Sequence, residues 1–275
     1  MIIEPSRGLF DLRLGELWRY RDLVLLFVRR DFVAVYKQTI LGPLWYLIQP
    51  LLTTLTFTVI FGKVASLPTD ELPPFLFYMS GTVVWAYFAD CLNKTSNTFV
   101  QNYNLFGKVY FPRMAVPVSI LISNLITFSI QFGLFIVFVF VFAVQGTPIQ
   151  PNWAWVALSP LLVLMMAGLG LGFGITISSM TTKYRDLRFL VTFGVQLLMY
   201  ATPVIYPVSS IPERFQWIIL ANPMTPIVEA FRYAFLGAGT LNAGLLLYSF
   251  VFMLVVDVLG VVIFNRVEQT FMDTV

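Results

Sequence analysis

The 275-residue chain is 58% hydrophobic and only 11% charged, with a net charge of +3 at pH 7 and a mean hydropathy of +0.82. A soluble domain carries about 25% charged residues, so this composition excludes a water-covered globule and indicates an all-α integral membrane protein. A single cysteine, Cys91, and no histidine exclude an internal disulfide, a multi-cysteine metal site and the commonest general base.

Residues 1–40 read as a charged cytoplasmic arm. Glu4, Arg7, Asp11, Arg13, Glu16, Arg19, Arg21 and Asp22 break up the first 22 residues. That leaves no apolar stretch of the length a cleavable signal needs, so the first span is expected to act as the targeting signal. Leu14, Leu17, Trp18, Val24, Leu25 and Val28 recur near helical spacing, which suits a helix lying in the cytoplasmic interface. A basic flank that merely anchors topology is the plainer alternative. After Lys37 no charge occurs until Lys63. Gly42-Pro43 at the changeover fits a helix start, because a proline lacking N–H costs nothing in a first turn. Pro50 is expected to kink the span.

Six segments have the ~20 mostly apolar residues a crossing needs: 41–62, 75–93, 116–143, 154–180, 189–206 and 244–264. The third is long enough to tilt or project. A further semi-apolar stretch, 223–240, holds Glu229 and Arg232, which argue against a full crossing. Six spans place fourteen lysines and arginines on one side and three (Lys63, Arg214, Arg232) on the other. By the positive-inside rule both termini are then cytoplasmic.

Motifs for catalysis are missing. Gly62-Lys63 and Gly107-Lys108 lack the rest of a P-loop, and no zinc-protease, C-x-x-C or nucleophile-elbow motif occurs. Asp90 and Lys94 suit an interfacial pair at the cytoplasmic end of the second span. Asp257 lies in an apolar run, where a charge is costly and should face protein or water. A structural hydrogen bond or a basic partner is the simpler reading; a role in transport is the other. Asn124, Thr127 and Gln131 share one helical face and should look into the bundle or an aqueous path. In "AGLGLGFGITISS", 167–179, Gly168/Gly172 and Gly170/Gly174 are small-x-x-x-small pairs that predict close helix contact. Trp45, Tyr46, Trp85, Tyr87, Tyr200 and Tyr206 cluster near span ends. Aromatic faces pack on the C–H faces of sugars, so these six are candidates for lining a polysaccharide path.

"RDFVAVYKQTILGPLWYLIQP" resembles the start of the membrane subunit of bacterial ABC exporters for polysaccharides and polyol phosphates, of the kind that exports O antigen, capsule or teichoic acid. The matching positions are Arg30 or Asp31, Tyr36, Leu41, Gly42, Trp45 and Pro50. "YRDLRFLVTFGVQLLMYATPVIYPVSSIP", 184–212, and "NPMTPIVEAFRYAFLG", 222–237, are similar to two later segments of that family, in the same order. The resemblance implies a permease domain over 41–275. Two copies would form a homodimer with a channel along the shared interface, in the bacterial cytoplasmic (inner) membrane. Two cytoplasmic ATPase subunits would bind ATP and magnesium, so this chain would itself hold no cofactor and perform no catalysis. The cargo would be a lipid-linked glycan. It also implies coupling to the ATPase through 98–113, semi-polar and of helical length, and through the turn 183–188. Asn102, Asn104, Phe106, Lys108, Arg185 and Asp186 are the candidate contacts. Segment 207–240 would form outer-leaflet gate helices between spans five and six, with Pro207, Pro223, Glu229 and Arg232 as candidate gate residues.

The alternatives are a drug or lipid exporter of the same architecture, a membrane-embedded glycosyltransferase or polymerase, and an ion-coupled carrier. The second would need paired catalytic groups on an aqueous loop, where Asp70, Glu71, Glu213 and Glu229 show no recognisable pairing. The third would need more titratable groups in the spans than Asp257.

Overall fold

A computed structural model describes residues 14–37, 40–106, 108–109, 111–181, 184 and 186–271, with the side chains of Leu14, Val35, Tyr36, Asn104 and 268–271 also outside the description. Among the described residues all regular structure is helical. The arm forms α1 (Leu14–Arg19) and α2 (Arg21–Tyr36). The face α2 buries is Val24, Phe27 and Val28, at i, i+3 and i+4, while Trp18 and Leu25 point outward. The buried face thus keeps Val24 and Val28 of the stripe that the spacing favoured, adds Phe27 and leaves Trp18 and Leu25 out.

Gly42–Leu44 forms a 3-10 turn with proline in its first positions and leads into α3 (Trp45–Phe57), as the Gly-Pro pair predicts. Gly42 has φ +50, a conformation open to glycine at little cost. Pro50 lies inside α3. A further irregularity follows, a π-helical stretch over Thr58–Val64 that ends the span.

Among the described residues five helical segments are long and apolar enough to cross a bilayer: Gly42–Val64, α4 (Pro74–Thr95), α7 (Ala115–Val144), α8 (Trp153–Thr181), and Ala243–Val267 within α12 (Ala243–Phe271). The expected fifth span is a shorter helix, α9 (Leu187–Tyr200), of 14 residues. At 1.5 Å per residue it covers about 21 Å, short of the ~30 Å hydrocarbon core. The chain turns at 201–206 instead of continuing, with Pro203 and Pro207 at this bend. Two short helices follow, α10 (Glu213–Leu220) and α11 (Met224–Leu236). Gly237 closes α11 with φ +74, its N–H bonded to Tyr233 O at 3.2 Å, a left-handed cap that favours glycine.

The most enclosed span is α4, 78% of whose apolar window is buried, against 11% for Gly42–Val64 and for α7. The reason lies in α8. Its two glycine pairs face opposite ways. A Cβ on Gly170 would lie 2.6 Å from Cys91 Cβ, and one on Gly174 would collide with Thr95; both are on α4. A Cβ on Gly172 would lie 2.6 Å from Asp257 Oδ1 and 2.9 Å from the Val256 carbonyl carbon, both on α12. One helix is thus clasped on two faces, each made smooth by glycine. Across the α4 face Thr95 Oγ1 donates to Gly170 O at 3.2 Å, a polar tie of the kind that holds helices together in lipid.

A second core joins the arm to the rest. Val24 and Phe27 of α2 share a buried cluster with Phe99, Phe106, Phe111, Val116, Ile175, Val261 and Phe264. The arm is thereby packed onto α7, α8 and α12, more than a loose basic flank would be.

Candidate functional site

The segment 98–113 is where the sequence places coupling to an ATPase. The expected single helix is two short turns, α5 (Thr98–Gln101) and α6 (Tyr103–Phe106), broken at Asn102. Asn102 donates its side-chain amide to Thr98 O at 3.0 Å, the local side-chain bond that competes with helix continuation. The segment is anchored from within. Phe99 N donates to Ser178 Oγ at 3.1 Å, and Thr181 Oγ1 donates to Ser96 O at 3.3 Å, so the end of α8 caps the α4–α5 corner. Phe99 stacks on Phe264 at 4.6 Å.

The candidate coupling residues divide by environment. Phe106 is buried, with its ring 5.7 Å from Phe111 and the Arg113 guanidinium 5.5 Å away. Asn102 is half-buried, whereas Lys108 and Asp186 are exposed. The side chain of Asn104, and the whole of Arg185, lie outside the described residues. Next to α6, an open apolar groove of about 610 Å³ is lined by Leu26, Phe27, Arg29, Arg30, Val33, Ala34 and Leu105.

At the other end of the bundle, Glu229 and Arg232 form an ion pair at 3.3 Å, both side chains at most 2% exposed. Arg232 Nη1 donates to Pro203 O at 2.5 Å and Nη2 to Val204 O at 2.8 Å. Its Nε donates to Ser80 Oγ at 3.3 Å, and the guanidinium lies 3.8 Å from the centre of the Phe77 ring. Glu229 Oε2 accepts from Thr240 N at 2.8 Å and Thr240 Oγ1 at 3.2 Å. The pair therefore clamps α11 to α4, to the bend after α9 and to the loop before α12. Every charge is matched, as a buried pair requires. The sequence signal was present, opposite charges three residues apart in an apolar helix, but the carbonyls that complete it come from a bend no periodicity marks. Twelve of the thirteen α11 residues are buried, while α10 buries none. Pro207 is buried and Pro223 half-buried. The hinge between α10 and α11 is held by Asn222, which donates to Thr202 Oγ1 at 2.8 Å and accepts from Met224 N at 3.0 Å.

The six aromatic candidates also divide. Trp45 and Tyr200 are exposed, and Tyr46 and Tyr206 half-buried, with Tyr206 OH bonded to Tyr200 O at 2.8 Å. Trp85 and Tyr87 lie inside the core, against Phe88 at 5.2 Å and Phe128 at 5.0 Å. Asp257 packs against the Gly168/Gly172 face of α8, and its Oδ1 is buried without a hydrogen-bond partner. Lys94 pairs with Asp90 at 3.4 Å, as expected, and more closely with Asn124 Oδ1 at 2.7 Å. Asn124 and Thr127 line a cavity of about 470 Å³, whereas Gln131, the third residue expected on that face, is half-buried and does not line it.

The model of the ABC-2 type transporter family matches residues 22–236, which contain the coupling segment, the α8 glycines and the α11 clamp. The chain belongs to the ABC-2 type transporter family. This ABC-2 chain is 29% identical over 252 residues to the O-antigen export system permease protein RfbA of Klebsiella pneumoniae, covering 92% of this chain and 94% of that protein. It is 29% identical to the protein of the same name from Myxococcus xanthus, over 80% of this chain and 82% of that one. It is 24% identical to the polysialic acid transport protein KpsM of Escherichia coli, over 85% and 89%. The ABC-2 membership makes this a multi-pass membrane protein of transport rather than catalysis.

Proposed function

We propose that the chain is the permease subunit of an ATP-driven exporter that moves a lipid-linked polysaccharide, O-antigen-like, across the bacterial cytoplasmic membrane. The observation that carries the reading is the near end-to-end similarity to an O-antigen export permease. In this reading two copies form the channel, and two ATPase subunits supply the energy. Leu187–Tyr200 and the bend after it make the fifth of six crossings, and the 14-to-3 charge partition supports cytoplasmic termini.

ATP acts by favouring one arrangement of the dimer over another; without a differential interaction nothing moves. The groove between α2 and α6, with exposed Lys108 two residues beyond α6, offers the ATPase a surface. The bonds from Phe99 and Ser96 to α8 make that surface rigid with α4 and α8, so a displacement there is carried into the spans. At the outer end α11 is the fixed post and the exposed α10 is the part free to swing about Asn222-Pro223 as a gate. The poorly buried α3 and the exposed α9 residues Phe193, Leu197 and Tyr200, at i, i+4 and i+7, suit the face between copies.

Co-reconstitution with its ATPase tests the reading. Proteoliposomes containing both should accumulate the lipid-linked glycan only with ATP. The chain alone should neither hydrolyse ATP nor move glycan, and gradient-driven uptake by the chain alone would replace this reading with a carrier. Within the complex, Trp45→Ala with Tyr200→Ala should lower export about tenfold, a loss equivalent to roughly 1.4 kcal/mol, with ATPase activity retained. Trp85→Ala should instead lower the yield of folded protein, because its ring fills the core. Equal export by wild type and the Trp45/Tyr200 double variant would remove these two rings from the path.

A further inference from the structure

In a chain with 11% charged residues, one cavity gathers polar groups. Of its thirteen lining residues, nine are polar: Arg30, Asp31, Tyr46, Lys94, Gln101, Asn102, Ser123, Asn124 and Thr127. Five elements supply the wall: α2, α3, α4, the α5–α6 break and α7. Phe32 of α2 stacks on Tyr46 of α3 at 6.2 Å and ties those two elements together.

The charges are not exhausted by their partners. Arg30 gives Nε and Nη2 to Asp31 at 2.8 Å, and a guanidinium has five N–H donors. Lys94 holds Asn124 Oδ1 at 2.7 Å and Asp90 at a long 3.4 Å, and an ammonium has three. Ser123 Oγ is buried with no hydrogen-bond partner in the protein. A buried hydroxyl left unmatched costs free energy that a bound group would recover. The cavity lies where α2 meets the start of α3, the end of α4 and the first thirteen residues of α7, the ends of three segments long and apolar enough to cross a bilayer. Its remaining wall, Phe32, Ala34, Val116 and Ile120, is apolar.

Two cations that keep unused N–H donors beside their carboxylate partners, amide and hydroxyl donors and an apolar wall at the ends of the spans match a phosphate carried on a hydrocarbon chain. We propose that this cavity binds the phosphate of a membrane lipid, held between Lys94 and Arg30 with Ser123 donating to it. That it faces the cytoplasmic leaflet rests on the orientation proposed above; the binding chemistry does not.

The test uses the full chain in dodecyl maltoside, a detergent without phosphate, titrated calorimetrically with farnesyl phosphate, farnesol and inorganic phosphate. Farnesyl phosphate should bind saturably and farnesol at least tenfold more weakly. Lys94→Met should weaken farnesyl phosphate at least tenfold, Lys94→Arg no more than about threefold, and Ser123→Leu, which fills the cavity, should abolish it. The Lys94→Arg result guards against misfolding as the cause of the loss. Wild-type affinity in both Lys94→Met and Ser123→Leu would overturn the site. Equal affinity for farnesol would overturn the phosphate, and equal affinity for inorganic phosphate would overturn the lipid. Export is scored separately in the complex. Wild type that binds farnesyl phosphate but exports no glycan would contradict the transport reading and leave this one standing.

Discussion

Replacing Arg232 with methionine should destabilise the protein more than any other single change to its charged residues, by about 3–5 kcal/mol. Against a total stability of about 5–15 kcal/mol, that removes a large share of what holds the protein folded. The change leaves Glu229 buried at 2% exposure without its cation, and strips Pro203 O, Val204 O and Ser80 Oγ of their donor. Glu229→Gln should cost less, about 1.5–3 kcal/mol, because the amide oxygen can still accept from Thr240 while the guanidinium keeps two carbonyls. The double replacement Glu229→Met with Arg232→Met should recover part of the single-variant loss, since two apolar side chains leave no buried charge. The measurement is unfolding followed by tryptophan fluorescence as sodium dodecyl sulfate is raised in mixed micelles. Arg232→Met unfolding at the wild-type midpoint would mean the clamp contributes nothing.

Gly172→Val should part α8 from α12. The first added carbon alone would stand 2.6 Å from Asp257 Oδ1 and 2.9 Å from Asp257 N and the Val256 carbonyl carbon. Two of those three atoms are backbone, which cannot rotate aside. Overpacking of this kind costs about 1–3 kcal/mol, occasionally more, and the upper end applies where a whole helix must move. Gly133→Ala provides the contrast. It lies in α7, where an added Cβ meets nothing within 4 Å. The higher helix propensity of alanine, worth about 1 kcal/mol, should leave that variant as stable as wild type or more so. The same unfolding assay reads both. Equal losses at the two positions would show that the glycines act through propensity rather than through contact.

Both predictions turn on residues visible in the sequence whose partners were not. The small-x-x-x-small spacing announced that α8 packs closely, and it does. Which helix each pair receives depends on α4 and α12, whose contacting residues lie some 80 positions away on either side. Glu229 and Arg232 were legible as a reason for 223–240 not to cross. Their mutual pairing and the carbonyls of 203–204 appear only once the chain bends back. In 98–113 the helical length was legible, but the break at Asn102 and the burial of Phe106 against Phe99, Phe111 and Arg113 were not.

Composition and apolar run length by themselves determined a helical membrane protein and the places of its five long spans, and local motifs gave the Gly-Pro start of the first and the family resemblance. These are properties of consecutive residues, because lipid demands a continuous apolar helix whatever surrounds it. Tertiary structure alone decided that 187–200 stops short, that α11 is a buried post while α10 is exposed, and that nine polar side chains from five elements converge on one cavity. Those outcomes depend on carbonyls, glycine faces and cations brought together from distant positions, and no local period encodes which of them meet.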